Sequence, residues 1–488
     1  MGLLNRFAKL VFPSRKASAA GYEAASSRGQ LSNWRPGSEG VNSLLFGNAA
    51  ILRDRSRELV RRNAWASSGV ESLVSNLVGT GIKPRSIVTD PAFNEKVHYL
   101  WDSWVREADA HGVLGFYGLQ ALAVRAMVEG GEVLVRMRNR LPSDGLSVPF
   151  QIQLLEPEHL PFTLNQDQPN GNRVRGGIEF DRINRRVAYH LYPEHPGERN
   201  MFFSGSGVAI PVPASEIVHL YRPLRPGQTR GEPWLTQALV KLHQLDQYDD
   251  AELIRKKTAA LIAGFVTEPS IDDPFAGEND QDVDSHGVAQ IPWSPGTMQK
   301  LLPGEDVKFS DPTDVGGQYE IFMRMQLRSV AVAMGIPYEQ LSGDLTGVSY
   351  SSIRAGLVEF RRRMEQWQQT IIIHQFCFPI WERWMDQAVL SGALRAPGYA
   401  ARRREYQAVK WIPHGWSWVD PLKDITATVM MIRAGLTSRD QAVAELGYSA
   451  EEIDQAIANE QERADRLGLV LDSDPRKRTK TGVEVTTD

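Results

Sequence analysis

The chain has 488 residues, more than one hydrophobic core usually reaches, so two to four domains are expected. Its 55 basic and 59 acidic side chains leave a formal charge of −4, whereas proteins that grip phosphates tightly show a basic domain or stripe, so tight sequence-independent DNA binding is disfavoured. The single cysteine, Cys377 in the apolar run IIIHQFCFPIW, excludes an intramolecular disulfide and a multi-cysteine zinc site and reads as a small core residue.

Residues 1–40, rich in Ala, Ser, Gly and Arg, read as a mobile arm. The first apolar run is too short for a signal peptide, and the myristoylation pattern fails at Arg6. No run of about 18 apolar residues exists, so no membrane helix is expected. A helical pattern spans 53–78, with Leu59, Val70, Leu73 and Leu77 on one side. FNEKVHYLWDSW places Phe93, Val97, Leu100, Trp101 and Trp104 at helical spacing, and a third helix runs from Leu119 to Val128. The period then changes to two. EVLVRMR, FQIQLLE, GGIEF, RVAYHLY and EIVHLY read as strands, with a hairpin connection across Phe180–Val187. Helices followed by strands predict an α+β domain over roughly 41–225.

RPLRPGQTRGEP (222–233) reads as a boundary, and Pro233 as the first residue of a helix reaching about Ala263. Asp246, Asp249, Asp250 and Glu252 fall in mid-helix. A mixed, acidic stretch follows, and a second amphipathic helix runs from about Gln318 to Met334, so two helices bracket an insertion. GDLTGVSYSSIRAGLVEFRRR (343–363) joins a hydroxyl-rich loop to the longest helix. There Ile353, Leu357, Phe360, Met364, Trp367, Ile371, His374 and Phe378 form a 3.5-residue seam that Pro379 should kink or end. Short helices close the chain, with capping-box spacing at Ser438/Gln441 and Ser449/Glu452, before a tail expected to be disordered.

Chemistry is sparse. GxxxxGK[ST], GxSxG, HExxH and CxxC are absent. Asp280, Asp282 and Asp284 alternate as a calcium loop begins, but Ser285 and Ile291 stand where Gly and Glu are needed. The histidines are scattered, and Arg361–Arg363 spread their charges around a helix. No catalytic residue, cofactor or metal is therefore expected.

Five collinear segments resemble the portal proteins of lambda-type tailed bacteriophages: RDRSRELVRRNAWASSGVESLVSNLVGTGIKP, EIVHLYRPLRPGQTRGEPWL, MQKLLPGEDVKF, AMGIPYEQLSGDLTGVSYSSIRAGLVEFRR and WVDPLKDITATVMMIRAGLTSRDQAVAELGY. The resemblance covers about residues 40–470. It implies a portal fold of wing, stem, clip and crown, assembled as a cyclic ring, commonly of twelve subunits, around a DNA channel at one capsid vertex. By that resemblance 1–40 is the arm, 41–232 wing, 233–263 the first stem helix and 264–313 clip. Residues 314–335 are then the second stem helix, 336–350 the tunnel loop, 351–420 the long wing helix and its surroundings, 421–470 the crown and 471–488 the tail. The implied partners are the chain itself, the large terminase subunit, the major capsid protein, a head-completion or adaptor protein, and double-stranded DNA passing without sequence specificity; no membrane is implied. The implied location is the virion, with assembly in the host cytoplasm.

Within that frame Asp344, Leu345, Thr346, Val348 and Tyr350 are expected to face DNA without presenting a fixed cation. Each phosphate-paired cation adds counterion-release affinity, and a ring multiplies it, so a conduit should be neutral to acidic. Asp246, Asp249, Asp250 and Glu252 are the expected channel lining, though helix phase alone leaves outward or inter-subunit positions equally open. Asp272, Asp273, Glu278, Asp280, Asp282 and Asp284 are the expected clip docking surface. The competing readings are another head structural or scaffolding protein, distinguished by native particle mass, and a phage-encoded hydrolase, distinguished by activity lost on mutating a His or Asp.

Overall fold

The computed structural model describes residues 32–198, 207–260, 264–267, 306–309, 319–416, 421–470 and 474. Helix α1 (Val41–Arg62) and helix α2 (Ala64–Leu77) replace the single helix that the pattern over 53–78 predicts. Asn63 makes the break. Its extended backbone (φ −106°, ψ 120°) ends α1, and its side chain accepts from Ala66 N at 3.0 Å, capping α2. Helix α3 (Pro91–Val105) starts on an Asp90 cap with proline in its first turn, and α4 (Phe116–Gly130) follows.

The expected strands form, and the domain is α+β. Strands β2 (Glu132–Asn139), β3 (Phe150–Leu155) and β9 (Ile217–Tyr221) make an antiparallel sheet in the order β3-β2-β9. Strands β4 (Gln166–Asp167), β5 (Arg173–Arg175), β6 (Ile178–Phe180), β7 (Arg186–Leu191) and β8 (Ile210–Pro213) make a five-stranded meander. The β6–β7 hairpin turns where expected, with Asn184 at φ 67° and Asp181 accepting from the Ile183 and Arg185 amides. A remote pairing closes the domain: β1 (Lys83–Ser86) runs antiparallel to β12 (Val409–Ile412).

The boundary segment 222–233 is anchored by a buried charge cluster. Arg230 donates to Glu132 through Nε (2.8 Å) and Nη2 (2.5 Å), and its remaining N–H groups reach Gly176 O and Leu160 O. His219 Nε2 lies 2.9 Å from the same carboxylate, to which Gly231 N also donates. Burial works to raise the Glu132 pKa, but Arg230 and His219 override it and hold the carboxyl well below its usual range. Burial lowers the His219 pKa to about 4. The cluster ties the three-stranded sheet to the meander through one guanidinium.

Pro233 starts a turn rather than a helix. Trp234, Leu235 and Ala238 are buried in the main core, with Trp234 N bonded to Val128 O, and helix α5 (Leu239–Ala260) begins only after them. Helix α6 (Tyr319–Met334) lies against α5, Tyr248 stacking on Tyr319 at 6.1 Å and tilting against Phe322 at 5.0 Å. Strands β10 (Gly264–Thr267) and β11 (Asp306–Phe309) pair antiparallel beyond these helices, so the insertion starts and returns side by side.

The longest rod does not end at Pro379. Helix α8 (Tyr350–Trp367) passes into a π-helical segment, Gln368–Cys377, and then into α9 (Phe378–Leu390), whose first turn holds the proline. In the wider register Phe378 N bonds Ile373 O, so the chain passes Pro379 without a strict i−4 ladder. The same change of register rotates the buried face. The 3.5-residue seam holds through Ile371 and then fails: His374 and Phe378 are exposed, while Ile372, Phe376, Cys377 and Trp381 are buried. The rotation delivers Trp381 and Trp384 to Trp101, with ring centroids 5.2 and 5.0 Å apart. Helix α10 (Tyr399–Tyr406) leads into β12.

Helices α11 (Pro421–Arg433), α12 (Arg439–Glu445) and α13 (Ala450–Leu467) end the described chain. Ser438 caps α12 through Gln441 N at 3.1 Å, as its spacing predicts. Ser449 makes no side-chain cap bond, so the second expected capping box does not form. No described helix is long and apolar enough to cross a membrane.

Candidate functional site

The hydroxyl-rich loop sits between α6 and α8. After α6 the chain turns at Gly335, forms the short helix α7 (Tyr338–Ser342) and runs through 343–349 before Ser349 caps α8 by accepting from Ser352 N. Gly343 (φ 70°) and Gly347 (φ 73°) take left-handed conformations that bend the loop at both ends. Asp344 organises what lies between them. Its Oδ1 accepts from Thr346 N (2.9 Å) and the Thr346 hydroxyl (2.5 Å), and its Oδ2 accepts from the Tyr338 hydroxyl (3.1 Å). These bonds, the Thr346 hydroxyl first, hold the Asp344 carboxyl below its ordinary pKa.

None of the five loop residues is a cation, but one from another element is fixed beside them. Arg324 of α6 lies 3.3 Å from Asp344 and donates to Thr346 Oγ1 at 3.1 Å and to Glu320 at 2.8 Å. Two carboxylates neutralise it, so the loop still offers no free positive charge from that residue. Leu345 is 63% exposed, Thr346 is exposed and Val348 half-buried. Tyr350 opens α8. Beneath the loop lies a cleft of about 720 Å³ lined by Arg324, Arg328, Tyr338, Leu345, Phe360 and Arg363. Arg324 and Tyr338 went unnoticed in the sequence because nothing local marks them; Tyr338 precedes Asp344 by six residues and Arg324 lies on another helix.

Of the four acidic residues of α5, three are engaged within the chain. Asp246 accepts from Asn63 Nδ2 at 3.2 Å, Asp249 accepts from the Tyr319 hydroxyl, and Glu252 pairs with Arg255 at 2.7 Å. Asp250 is exposed with no partner among the described residues. These contacts fasten α5 to Asn63 and to α6 and leave Asp250 as the one exposed carboxylate of the four without a partner among the described residues. Asp272, Asp273, Glu278, Asp280, Asp282 and Asp284 lie outside the described residues, as do the arm over 1–31 and most of the tail.

Among the described residues one group has metal-ligand proximity: Glu156, Glu158 and His195. Arg53 (2.8 Å) and Arg57 (2.5 Å) already hold Glu158, and Arg57 lies 3.2 Å from Glu156. Two cations occupy the charge that a divalent ion would need, so the group reads as an ion-pair knot. Cys377 is buried and its thiol is pushed well up in pKa, leaving it without thiolate reactivity.

A model of the family described as phage portal protein, lambda family, matches residues 27–368. The probable portal protein of Halomonas phage phiHAP-1 is 29% identical over 440 residues, spanning 88% of this chain and 83% of that protein. Portal protein B of Escherichia phage lambda is 22% identical over 480 residues, spanning 89% and 88%. A solved chain from the neck of an empty GTA particle aligns with a TM-score of 0.43 at 14% identity, over 85% of this chain and 95% of that one.

Proposed function

Because the chain belongs to the lambda family of phage portal proteins, we infer that it serves as the portal, the head–tail connector of a phage particle, and is a structural component of the virion. In this reading identical copies close into a ring, with twelve the expected number, at one vertex of the capsid. DNA enters through the channel under the terminase motor and later leaves by it, after a head-completion or adaptor protein docks. Assembly takes place in the host cytoplasm, beside the major capsid protein.

The observation that carries the reading is the family match across 342 of 488 residues, counted from 27 to 368 inclusive. Surface chemistry supports the ring. Ile321, Met325 and Val332 share one side of α6 and are 65%, 57% and 80% exposed, and Leu422, Ile425 and Val429 share one side of α11 and are also exposed. Neighbouring copies would cover both stripes. The sites follow the same reading: Asp344, Leu345, Thr346, Val348 and Tyr350 as the tunnel loop, Asp250 with its acidic neighbours on α5 as channel-facing, and the acidic 272–284 segment as the motor-docking surface.

Native mass measurement with negative-stain imaging of the full chain tests the reading. A closed ring with a central hole is expected. A chain that stays solitary at every concentration, or one that assembles in hundreds of copies, would refute it.

A further inference from the structure

Beyond the part of the three-stranded sheet that the meander covers at Glu132, Leu134 and Ile217, the same face carries a row of arginines that neither the channel nor the ring reading uses. Side chains alternate along β2, so Val133, Val135 and Met137 enter the core while Arg136, Arg138 and, one residue past the strand, Arg140 share the opposite face. Arg140 stays on the ladder, its N–H bonded to Pro149 O. Two glutamines on β3 hold two of the heads: Arg138 donates to Gln153 Oε1 at 3.1 and 2.8 Å, and Arg140 donates to Gln151 Oε1 at 2.9 Å. Glutamine fixes a guanidinium without neutralising it. Arg136 Nε is buried and makes no hydrogen bond within the described structure. None of the three has an acidic ion-pair partner within 4 Å among the described residues. Burial first, then repulsion from Arg136 and Arg140, lowers the Arg138 pKa, with Glu216 opposing.

Spacing fits a phosphodiester backbone. Alternate residues of a strand lie about 6.8 Å apart, so the row presents three positive heads over about 13 Å. In duplex DNA a rise of about 3.4 Å per nucleotide, with about a tenth of a turn, puts successive phosphates of one strand roughly 6–7 Å apart. Guanidinium also matches phosphate in a bidentate fork. An acidic peptide would need carboxylates held at the same interval, which a free segment does not pre-organise. We propose that Arg136, Arg138 and Arg140 form a phosphate rail that holds the backbone of double-stranded DNA against the outer face of this sheet, apart from the channel. The identification of duplex DNA as the anion rests on the portal reading; the rail itself rests on the arginine geometry.

Binding of a mixed-sequence 30-base-pair duplex to the full chain, measured by fluorescence anisotropy from 50 to 200 mM salt, tests the rail. Three phosphate contacts contribute about 2.7 to the slope of log affinity against log salt, so across this fourfold range the wild type should lose roughly 40-fold more affinity than Arg136→Gln/Arg138→Gln/Arg140→Gln. Arg138→Gln/Arg140→Gln, which leaves the most enclosed position intact, should lose about two-thirds of that slope. Wild type and variants are compared in the same oligomeric state, checked by native mass measurement on the same samples, because a ring multiplies the contacts that one duplex can make. Unchanged slopes overturn the rail. So does a variant that loses only binding to an acidic decapeptide, or one that fails to form rings yet keeps the full duplex slope. A wild type that never closes into rings but shows the slope difference refutes the portal reading and leaves the rail standing.

Discussion

Replacing Glu132 with glutamine isolates the most concentrated electrostatic energy in the fold. The substitution keeps shape and one acceptor oxygen but removes the charge facing Arg230, whose buried guanidinium then has only a neutral amide oxygen and the Gly176 and Leu160 carbonyls. Breaking one side of a buried pair costs about 3–5 kcal/mol. For a cooperative unit of 150–250 residues that is a fall in the thermal midpoint of about 10 °C. Glu132→Leu/Arg230→Met should recover most of the loss, because the penalty comes from the stranded charge. Acid should act on the same cluster. His219 is neutral in the fold, with Nε2–H donating to Glu132 and Nδ1 buried without a partner, so protonation would add an N–H with no acceptor. Its folded pKa of about 4 lies below the ordinary 6.5, so its contribution is complete above pH 6.5 and lost as pH falls towards 4, an amount of about 3 kcal/mol. The Glu132 pKa is depressed, so its stabilisation is present above 4.5 and is lost at lower pH still. The thermal midpoint should therefore fall from pH 6.5 downward, and less steeply in His219→Phe. A Glu132→Gln midpoint within 2 °C of wild type would refute the reasoning.

Asp344→Ala removes the acceptor for Thr346 and Tyr338 and the partner of Arg324, so limited proteolysis should cut within 343–348 several-fold faster while the rest of the digest is unchanged. Gly69→Ala places a methyl 2.7 Å from Met334 Sδ at the contact between α2 and α6, and should lower the thermal midpoint by the equivalent of about 1–3 kcal/mol. Ile425→Asp/Val429→Asp puts charge on an already exposed stripe, so the single chain should keep its melting behaviour while native mass measurement shows rings failing to close.

Local pattern carried the expected helices and strands of the α+β domain because each has an apolar period that its own burial satisfies; Phe93, Val97, Trp101 and Trp104 recur at helical spacing and all are buried. Pattern failed where a single residue or a change of register decided the outcome. Asn63 looked like one more polar position inside a helical run, and only its cap geometry divides α1 from α2. The π-helical segment has no periodicity of its own to announce it, so the seam was extended past Ile371 onto His374 and Phe378. The Glu132 cluster was illegible because its members sit 87 and 98 positions apart, and a glutamate opening a strand reads as a solvent-facing end. The loop over 343–349 was found from its composition, but its latch to Arg324 joins two elements that only folding brings together.

The distribution of burial separates two kinds of stability in this chain. The α+β domain closes its own core: tryptophans from α3 and α9 meet at 5.0–5.2 Å, and β1 finds β12 more than 300 residues away. Helices α6 and α11 do not close theirs, since each keeps an apolar stripe in solvent and α11 buries no side chain at all. A free helix with such a face gains little from folding alone, because short helices owe most of their stability to packing. Partners at those stripes would therefore supply folding energy as well as affinity, so the α+β domain is expected to be formed before assembly and α11 to gain amide protection on assembly. Hydrogen exchange on dilute and assembled chain reads this directly: protection of α11 should rise with assembly while α3 and α9 stay unchanged, and equal protection of α11 in both states would show that it is stable without neighbours.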